Sequence, residues 1–446
     1  MNDEVSDSRL KTLFQKHLAK NPKYASLKGI LLCGSQMNFR ATHVNLLRDK
    51  HSDKTKFSNL MMCHSAWACP SCTAKVMAMK GTDIAAAIDA LATWFKQDCF
   101  MVTFTMPHTN KMTCDGSFEL LRLAWRRFTR QGNRRGHQYT TSSGVKKIKG
   151  QDPYGKFREE LNIRYNCRVY EFTWGEEFSW HPHLHVLFWV PHENFNKVLG
   201  YEESLKERWW ICLKECAKRQ LKARFLKKAQ LDGETVDKKQ LDDTVQKMVD
   251  SYYTDWRKNP VTGHKSVFMS KNPDGSLRKT TSSMYISGWG GDAETSAEKN
   301  KLPEKGHYTP YQIINNALFD VANREKWLDL YTEYALATRN HRRVEFASRS
   351  GITQIIKKWK ETEQYQLALK KRLMDKEIEW EVVYRFNKFQ WQQIYCEDVY
   401  GHHYLCSELL ELAKIRDRDG PAYHIERWLN FLDIKPRETV LHMNEA

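Results

Sequence analysis

The sequence predicts an α+β protein with a central antiparallel sheet, a cysteine-rich N-terminal segment and a helical C-terminal region. Two apolar runs, residues 167–174 and 180–189, alternate with period two and are separated by a short turn, which is typical of an antiparallel hairpin. A third alternating run at residues 96–108 ends at a proline, and a short strand is expected at residues 264–270. From residue 311 onward the pattern is helical with few breakers. The predicted segments are residues 1–80, 81–310 and 311–446.

Three histidines occupy every second position at the start of the second hairpin run. His181, His183 and His185 therefore share one face of the strand, and apolar residues occupy the other. Imidazoles at this spacing can hold one divalent metal ion between them. Counting back from the turn places Glu171 opposite His183 and His185, and a carboxylate beside imidazoles suits Mg²⁺ or Mn²⁺. The alternative is a half-exposed strand whose histidines and glutamate face solvent.

A cysteine cluster precedes the predicted sheet. Cys63, Cys69 and Cys72 include a Cys-Pro-Ser-Cys turn, which lets two thiolates converge on one ion. The fourth ligand of a structural zinc site must come from elsewhere, with Cys33 as first choice and His64 as second. The alternative is a set of reduced cysteines without a metal, because the spacing is not the usual pair of Cys-x-x-Cys turns.

The net charge and the cysteines of the chain indicate its binding partners and its cellular compartment. The formal net charge is +17, the pI is about 9.2, and 12% of residues are aromatic. A chain this basic is drawn to polyanions, nucleic acid first, although a basic protein without such a partner is the alternative. No apolar run approaches membrane-spanning length, and the N-terminus lacks a signal-peptide pattern. Because the chain shows no export signal, we expect its eleven cysteines to be reduced thiols. We therefore expect a cytoplasmic protein without a membrane partner.

At this point the chain resembles a known family, the HUH-type rolling-circle replication initiators of bacterial plasmids. The resemblance covers roughly Gly29 to Leu367, and its motifs occur in the family's order. His183 and His185 take the two histidine positions of the metal motif. The other matching segments are the cysteine segment 63–72, the strand 100–108, the tyrosine segment 283–294 and the downstream segments 309–314 and 342–351.

The resemblance implies a fold, a mechanism and partners. The sheet would be of the HUH endonuclease type, and Tyr285 would nick one strand of origin DNA and stay joined to its 5′ phosphate. Glu294 is the nearest acidic candidate for directing water at the second cleavage. The implied partners are single-stranded and duplex origin DNA, a host helicase, a single-strand-binding protein and the replicative polymerase.

The tyrosine motif departs from the family at one position. The family often reads Tyr-x-x-Lys, but Gly288 stands at the lysine position here. Another residue would then have to orient the tyrosine or contact the phosphate. Tyr308 and Tyr311 are reserve candidates for the nucleophile, and Tyr285 itself could be an ordinary core or surface aromatic.

Three other functions share parts of this pattern. A transposase or relaxase-like strand transferase would use the same chemistry on a different element. A DNA-binding regulator that has lost catalysis would explain the missing lysine. A hydrolytic metal nuclease would use water and would not need Tyr285.

Overall fold

The structure is a computed structural model, and it confirms the α+β class with antiparallel sheets. Its contacts divide the chain into two compact units, which we describe separately. The first unit comprises Met1–Val76, Tyr311–Arg339 and Glu363–Ala446, and the second comprises Met77–Pro310 and Asn340–Thr362. The residues that the structure describes are 7–35, 37–38, 40–107, 112–130, 137–140, 146–149, 153–258, 266–282, 307–347, 350–374, 379–400, 405–432 and 434.

The described residues form eleven strands and fourteen α-helices. The strands are β1 (Val44–Asp49), β2 (Thr55–Ser58), β3 (Gln97–Phe104), β4 (His137–Thr140), β5 (Lys146–Lys149), β6 (Tyr165–Gly175), β7 (Ser179–Pro191), β8 (Val267–Met269), β9 (His307–Tyr308), β10 (Val344–Phe346) and β11 (Trp380–Phe386). The helices are α1 (Asp7–Ala19), α2 (Lys28–Leu31), α3 (Pro70–Phe95), α4 (Cys114–Arg130), α5 (Pro153–Glu160), α6 (Glu202–Asp232), α7 (Lys238–Lys258), α8 (Pro310–Phe319), α9 (Arg324–Thr338), α10 (Ile352–Lys360), α11 (Glu363–Met374), α12 (Lys388–Tyr400), α13 (Leu405–Leu412) and α14 (Gly420–Phe431). Two 3₁₀ helices span Pro22–Leu27 and His192–Tyr201.

The second unit is built on an antiparallel sheet with strand order β10-β6-β7-β3-β8, and β9 pairs with the end of β6. Strands β3, β6, β7 and β8 lie in the segments where the sequence predicts them. Besides the helices expected beyond residue 311, this unit contains the short strand β10, which pairs with β6 through Val344 and Val169. A three-residue strand is too short to produce a readable alternation.

One face of this sheet packs against α4, α5 and α6 through aromatic side chains. The Phe104 ring centroid lies 5.2 Å from those of Trp125 and Phe128 and 5.0 Å from that of Trp209. The Trp209 indole also donates a hydrogen bond of 2.7 Å to the carbonyl oxygen of Thr105. Aromatic pairs at these separations add to the burial free energy, so this layer fixes the helices on the sheet.

The first unit contains a second antiparallel sheet with strand order β11-β1-β2. Val44, Leu46 and Phe386 of this sheet share a buried cluster with Trp391 of α12 and Leu409 of α13. The helical C-terminal region predicted from the sequence therefore contains a further strand, β11. Its pairing partner β1 lies more than 330 residues earlier in the chain, and no local pattern carries that information.

The predicted borders near residues 80 and 310 lie close to two borders between the units. Helix α3 contributes residues to both units, and residues 340–362 belong to the second unit. No helix among the described residues combines the length and the apolar character needed to cross a membrane.

The aromatic layer makes a stability prediction. Phe104 is fully buried, so Phe104→Ala should lower the free energy of unfolding by about 3–5 kcal/mol because it removes a ring and leaves a cavity. Phe268→Ala on β8 is the matched control, since this ring is 38% exposed and its loss should cost less than about 1 kcal/mol. Urea unfolding followed by tryptophan fluorescence measures both values. Equal losses for the two variants would contradict this packing.

Candidate metal and strand-cleavage site

The histidine row lies on the face of β7 opposite to the aromatic layer. His181, His183 and His185 are half-buried, whereas Leu184 and Val186 between and beyond them are fully buried. The predicted alternation of the two faces is therefore confirmed. Past His185 both faces of β7 are buried, so the open part of this face is confined to the hairpin half of the strand.

Strand register brings a carboxylate and a hydroxyl to the row. Glu171 pairs directly with His183 across β6 and β7, and Thr103 pairs with His185 across β3 and β7. Glu171 Oε2 lies 2.9 Å from His185 Nε2, and Thr103 Oγ1 lies 2.9 Å from His185 Nδ1. The predicted proximity of Glu171 to His183 and His185 is confirmed.

The electrostatics keep Glu171 ionised. Burial acts to raise the pKa of Glu171, but the imidazole of His185 and the guanidinium of Arg343 outweigh it and lower the pKa to about 2. An ionised carboxylate only accepts hydrogen bonds, so Nε2 of His185 donates to Glu171. The Thr103 hydroxyl lies at Nδ1 of the same ring. These two contacts fix the orientation of the His185 ring.

The three histidine side chains are not arranged around one common metal position. The ring centroids are 4.1 Å apart for His181 and His183 and 6.3 Å apart for His183 and His185. Among the residues that the structure describes, only the four cysteines form a group of three or more potential ligands within 4.8 Å of one another. A divalent ion bound by both Glu171 and His185 would have to replace the hydrogen bond between them.

The cysteine cluster does converge. Cys33, Cys63, Cys69 and Cys72 place their sulfur atoms within 4.8 Å of one another. Cys33 Sγ lies 3.6 Å from Cys69 Sγ and from Cys72 Sγ, which is close to the roughly 3.8 Å sulfur separation of a tetrahedral zinc site and far beyond a disulfide bond of about 2 Å. These four residues can therefore hold a metal such as zinc, and the exposed His64 is not part of the group.

Local structure explains why these four residues meet. Pro70 begins α3, and the backbone N–H groups of Cys72 and Thr73 donate to the carbonyl oxygen of Cys69, which forms the predicted tight turn. The Gln15 side chain donates to three carbonyl oxygens of residues 30–33, which fixes the loop that carries Cys33.

Hydrogen bonds prepare one thiol of the cluster for a metal. Contacts with the thiols of Cys63, Cys69 and Cys72 lower the pKa of Cys33, although burial opposes the shift. A thiolate is the form of cysteine that binds metal, so the cluster carries negative charge that a cation would neutralise.

Several predicted site residues fall outside the described part of the chain. Tyr285, Gly288 and Glu294 all lie between residues 283 and 306. The described residue after this segment is His307, which pairs with Gly175 at the hairpin end of β6.

The structure describes Tyr308 and Tyr311, the two reserve candidates for the nucleophile. Tyr308 pairs with Trp174 on β6, and their ring centroids lie 6.0 Å apart. Trp174 points to the sheet face opposite to Glu171, since the two are separated by an odd number of positions. Tyr308 therefore lies away from the histidine row, and Tyr311 lies in α8.

Sequence reasoning missed two contributors. Thr103 holds His185 and Arg343 lowers the pKa of Glu171, and neither was named as a site residue. Thr103 lies on the predicted strand 96–108. If that strand pairs with the histidine strand, Thr103 faces the same side as the histidines, and this alternation could have identified it. The position of Arg343 near Glu171 follows only from the pairing of β10 with β6, which the sequence does not indicate.

The cysteine cluster makes a metal prediction. The purified chain should carry about one zinc ion, and Cys33→Ser should lose it because one of four ligands is removed. Cys396→Ser is the matched control, since Cys396 is exposed on α12 outside the cluster. Metal content by mass spectrometry and the thermal midpoint with and without a chelator measure the effect. Unchanged zinc content in Cys33→Ser would contradict the assignment.

In the comparisons with known proteins, no family model, curated protein or solved structure matches this chain. The functional inference therefore rests on the geometry above and on the order of the sequence motifs.

Proposed function

We propose that this protein nicks and rejoins single-stranded DNA at a specific origin and so initiates rolling-circle replication of a plasmid. The carrying observation is the histidine row at the centre of an antiparallel sheet, with Glu171 opposite His183 and in contact with His185. A solvent-facing strand would have no reason to gather three imidazoles and an ionised carboxylate on one patch. The order of motifs in the sequence provides the rest of the support.

The residues of the row suit a hard or borderline divalent cation. Imidazole nitrogens and a carboxylate oxygen are ligands for Mn²⁺, and Mg²⁺ accepts the carboxylate with water. In the proposal, His183, His185 and Glu171 hold the ion, and His181 lies at the open end of the row. A bound ion would stabilise negative charge on the scissile phosphate. Thr103 and Arg343 act as positioning residues, since their contacts are with the ligands.

Tyr285 is the proposed nucleophile. Its phenolic oxygen attacks the scissile phosphorus, the bond from phosphorus to the 3′ oxygen breaks, and the 3′-OH leaves with a proton. One phosphodiester replaces another, so the strand can be rejoined later by the reverse attack without ATP. Glu294 is the proposed base for a second cleavage by water.

The described residues on the two sides of the tyrosine segment lie at different ends of the sheet. On the C-terminal side, His307 and Tyr308 pair with the turn end of β6, near the histidine row. On the N-terminal side, the N–H of Thr280 donates to the carbonyl oxygen of Cys99, at the far end of β3. The proposal of Tyr285 therefore rests on the order of the sequence motifs. The net charge of +17 supports a polyanionic substrate, and the proposed partners are origin DNA and the host replication proteins named above.

The metal ligands can be tested directly. His183→Ala and His185→Ala should each lower Mn²⁺-dependent cleavage of a labelled single-stranded origin oligonucleotide by about 100-fold or more. His192→Ala is the matched control, because this exposed histidine pairs with Asp98 at the other end of β7. Full activity of both row variants would remove the metal assignment.

The nucleophile is tested on a denaturing gel with the same oligonucleotide. Wild type should give a covalent protein–DNA band that Tyr285→Phe abolishes, because phenylalanine keeps the ring but lacks the attacking oxygen. Tyr308→Phe is the matched control and should keep the band. Cleavage without any adduct would favour the hydrolytic nuclease, and DNA binding without cleavage by wild type would favour the regulator.

A further inference from the structure

The first half of helix α6 is largely buried, and its second half is largely exposed. Its first half is anchored in the second unit by buried residues that include Trp209, Leu213 and Cys216. The residues after Ala217 are mostly exposed, and Ala229 is the one fully packed position that follows in the helix. With a rise of about 1.5 Å per residue, the exposed half extends for about 20 Å.

The exposed half carries a dense positive charge. Six of the eleven residues from Lys218 to Lys228 are lysine or arginine, and none is acidic. Two of these cations are paired, Lys218 with Glu215 and Lys222 with Asp242 of α7. Within the described part of the chain, no ion pair involves the other four, which are Arg219, Arg224, Lys227 and Lys228.

Three of these four cations, Arg224, Lys227 and Lys228, share one side of the helix. Steps of three and four residues connect Trp209, Leu213 and Cys216 to Gln220, Arg224 and Lys227, so these positions form one line along α6. The positions on this line are therefore apolar in the first half of α6 and include basic residues in the second half. Lys228 lies about 40° beyond Arg224 around the helix, whereas Arg219 lies about 140° from Arg224 and faces another direction.

Helix α7 covers a different side of α6. Its buried stripe, Leu241, Val245 and Val249, packs toward α6, and the ion pairs Lys222–Asp242 and Lys214–Asp250 join the two helices. Asp242 and Asp250 of α7 thus pair with cations of α6 that lie outside the basic line.

The basic line begins at the end of the sheet where the histidine row lies. Gln220 Nε2 donates to the carbonyl oxygen of Gly116 at the start of α4, and the Arg224 guanidinium lies against Gly116. Just before α4, the carbonyl oxygen of Met112 accepts a hydrogen bond from Ser179, two residues before His181. A nucleic acid chain on the basic line would therefore reach the hairpin end of the sheet.

We infer that the basic line of α6 (Arg224 and Lys227), with Lys228 beside it, binds the phosphate backbone of duplex DNA beside the cleaved single strand. Arg224 and Lys227, one turn apart on the line, offer adjacent positive charges to a phosphate backbone, and the line carries no aromatic ring in this half of the helix for stacking bases. A membrane surface is the main rival, because Phe225 and Leu231 are exposed nearby. Leu231 lies on the side of Lys227, but Phe225 lies about 160° around the helix from Lys227, so the two apolar residues do not form one amphipathic face with it. The choice of DNA over another polyanion rests on the proposed function.

The test is the salt dependence of binding to a labelled duplex. The variant Arg224→Gln with Lys227→Gln should weaken binding about tenfold near 0.15 M salt and reduce the log–log salt slope by about 1.8, or about 0.9 per phosphate contact. The matched control, Lys238→Gln with Lys239→Gln, makes the same change of charge at exposed positions of α7. It should leave both quantities near the wild-type values. Circular dichroism should show the same thermal midpoint for all three proteins.

The outcomes separate this inference from the proposed function. Normal cleavage of a short single-stranded oligonucleotide by the α6 variant, with weaker duplex binding, supports both. Unchanged duplex binding by the variant overturns the inference, and so does an equal loss in the α7 control. Binding of wild type to vesicles of phosphatidylglycerol and phosphatidylcholine that the α6 substitutions abolish, with duplex binding intact, overturns it in favour of a lipid surface. Duplex binding that depends on α6 in a protein that never cleaves leaves the inference standing and removes the proposed function.

Discussion

The pairing of β6 with β7 is the constraint on which the candidate site depends. Eleven successive pairs run from Tyr165 with Trp189 to Gly175 with Ser179. A slip of one residue would send the histidine row into the aromatic layer and expose the residues that pack there. The buried face of β7 therefore fixes the register, and the register in turn fixes which carboxylate faces which imidazole. Core packing and site geometry are consequences of the same alternation.

The histidine face and the cysteine cluster differ in how far they are prepared for a metal. The four cysteines already converge, and the lowered pKa of Cys33 supplies a thiolate. On the histidine face, His185 and Glu171 form a hydrogen bond with one another, and Thr103 contacts the other nitrogen of that ring. Closed coordination by four cysteines is typical of a structural metal site, and the proposed role of the histidine face would require coordination positions that stay open for substrate.

Sequence reasoning predicted the parts of the fold that depend on local periodicity. The alternation of residues 180–189 gave the two faces of β7, and counting from the turn placed Glu171 by His183. The same logic could not find β10 or β11, because three-residue and edge strands are defined by partners far along the chain. Cys33 was identified as the fourth cysteine although Cys33 and Cys63 are thirty residues apart, since few other thiols precede the turn. Arg343 could not be predicted, because its effect on Glu171 exists only once β10 pairs with β6.

The most direct test of the central claim is where a manganese ion binds on the protein. Crystals of the wild-type chain grown with Mn²⁺ would be measured with X-rays near the manganese absorption edge. The account predicts an anomalous peak on the open face of β7, with His183, His185 and Glu171 as ligands and with the hydrogen bond between Glu171 and His185 broken. A well-ordered site with that hydrogen bond intact and no peak on this face would contradict it.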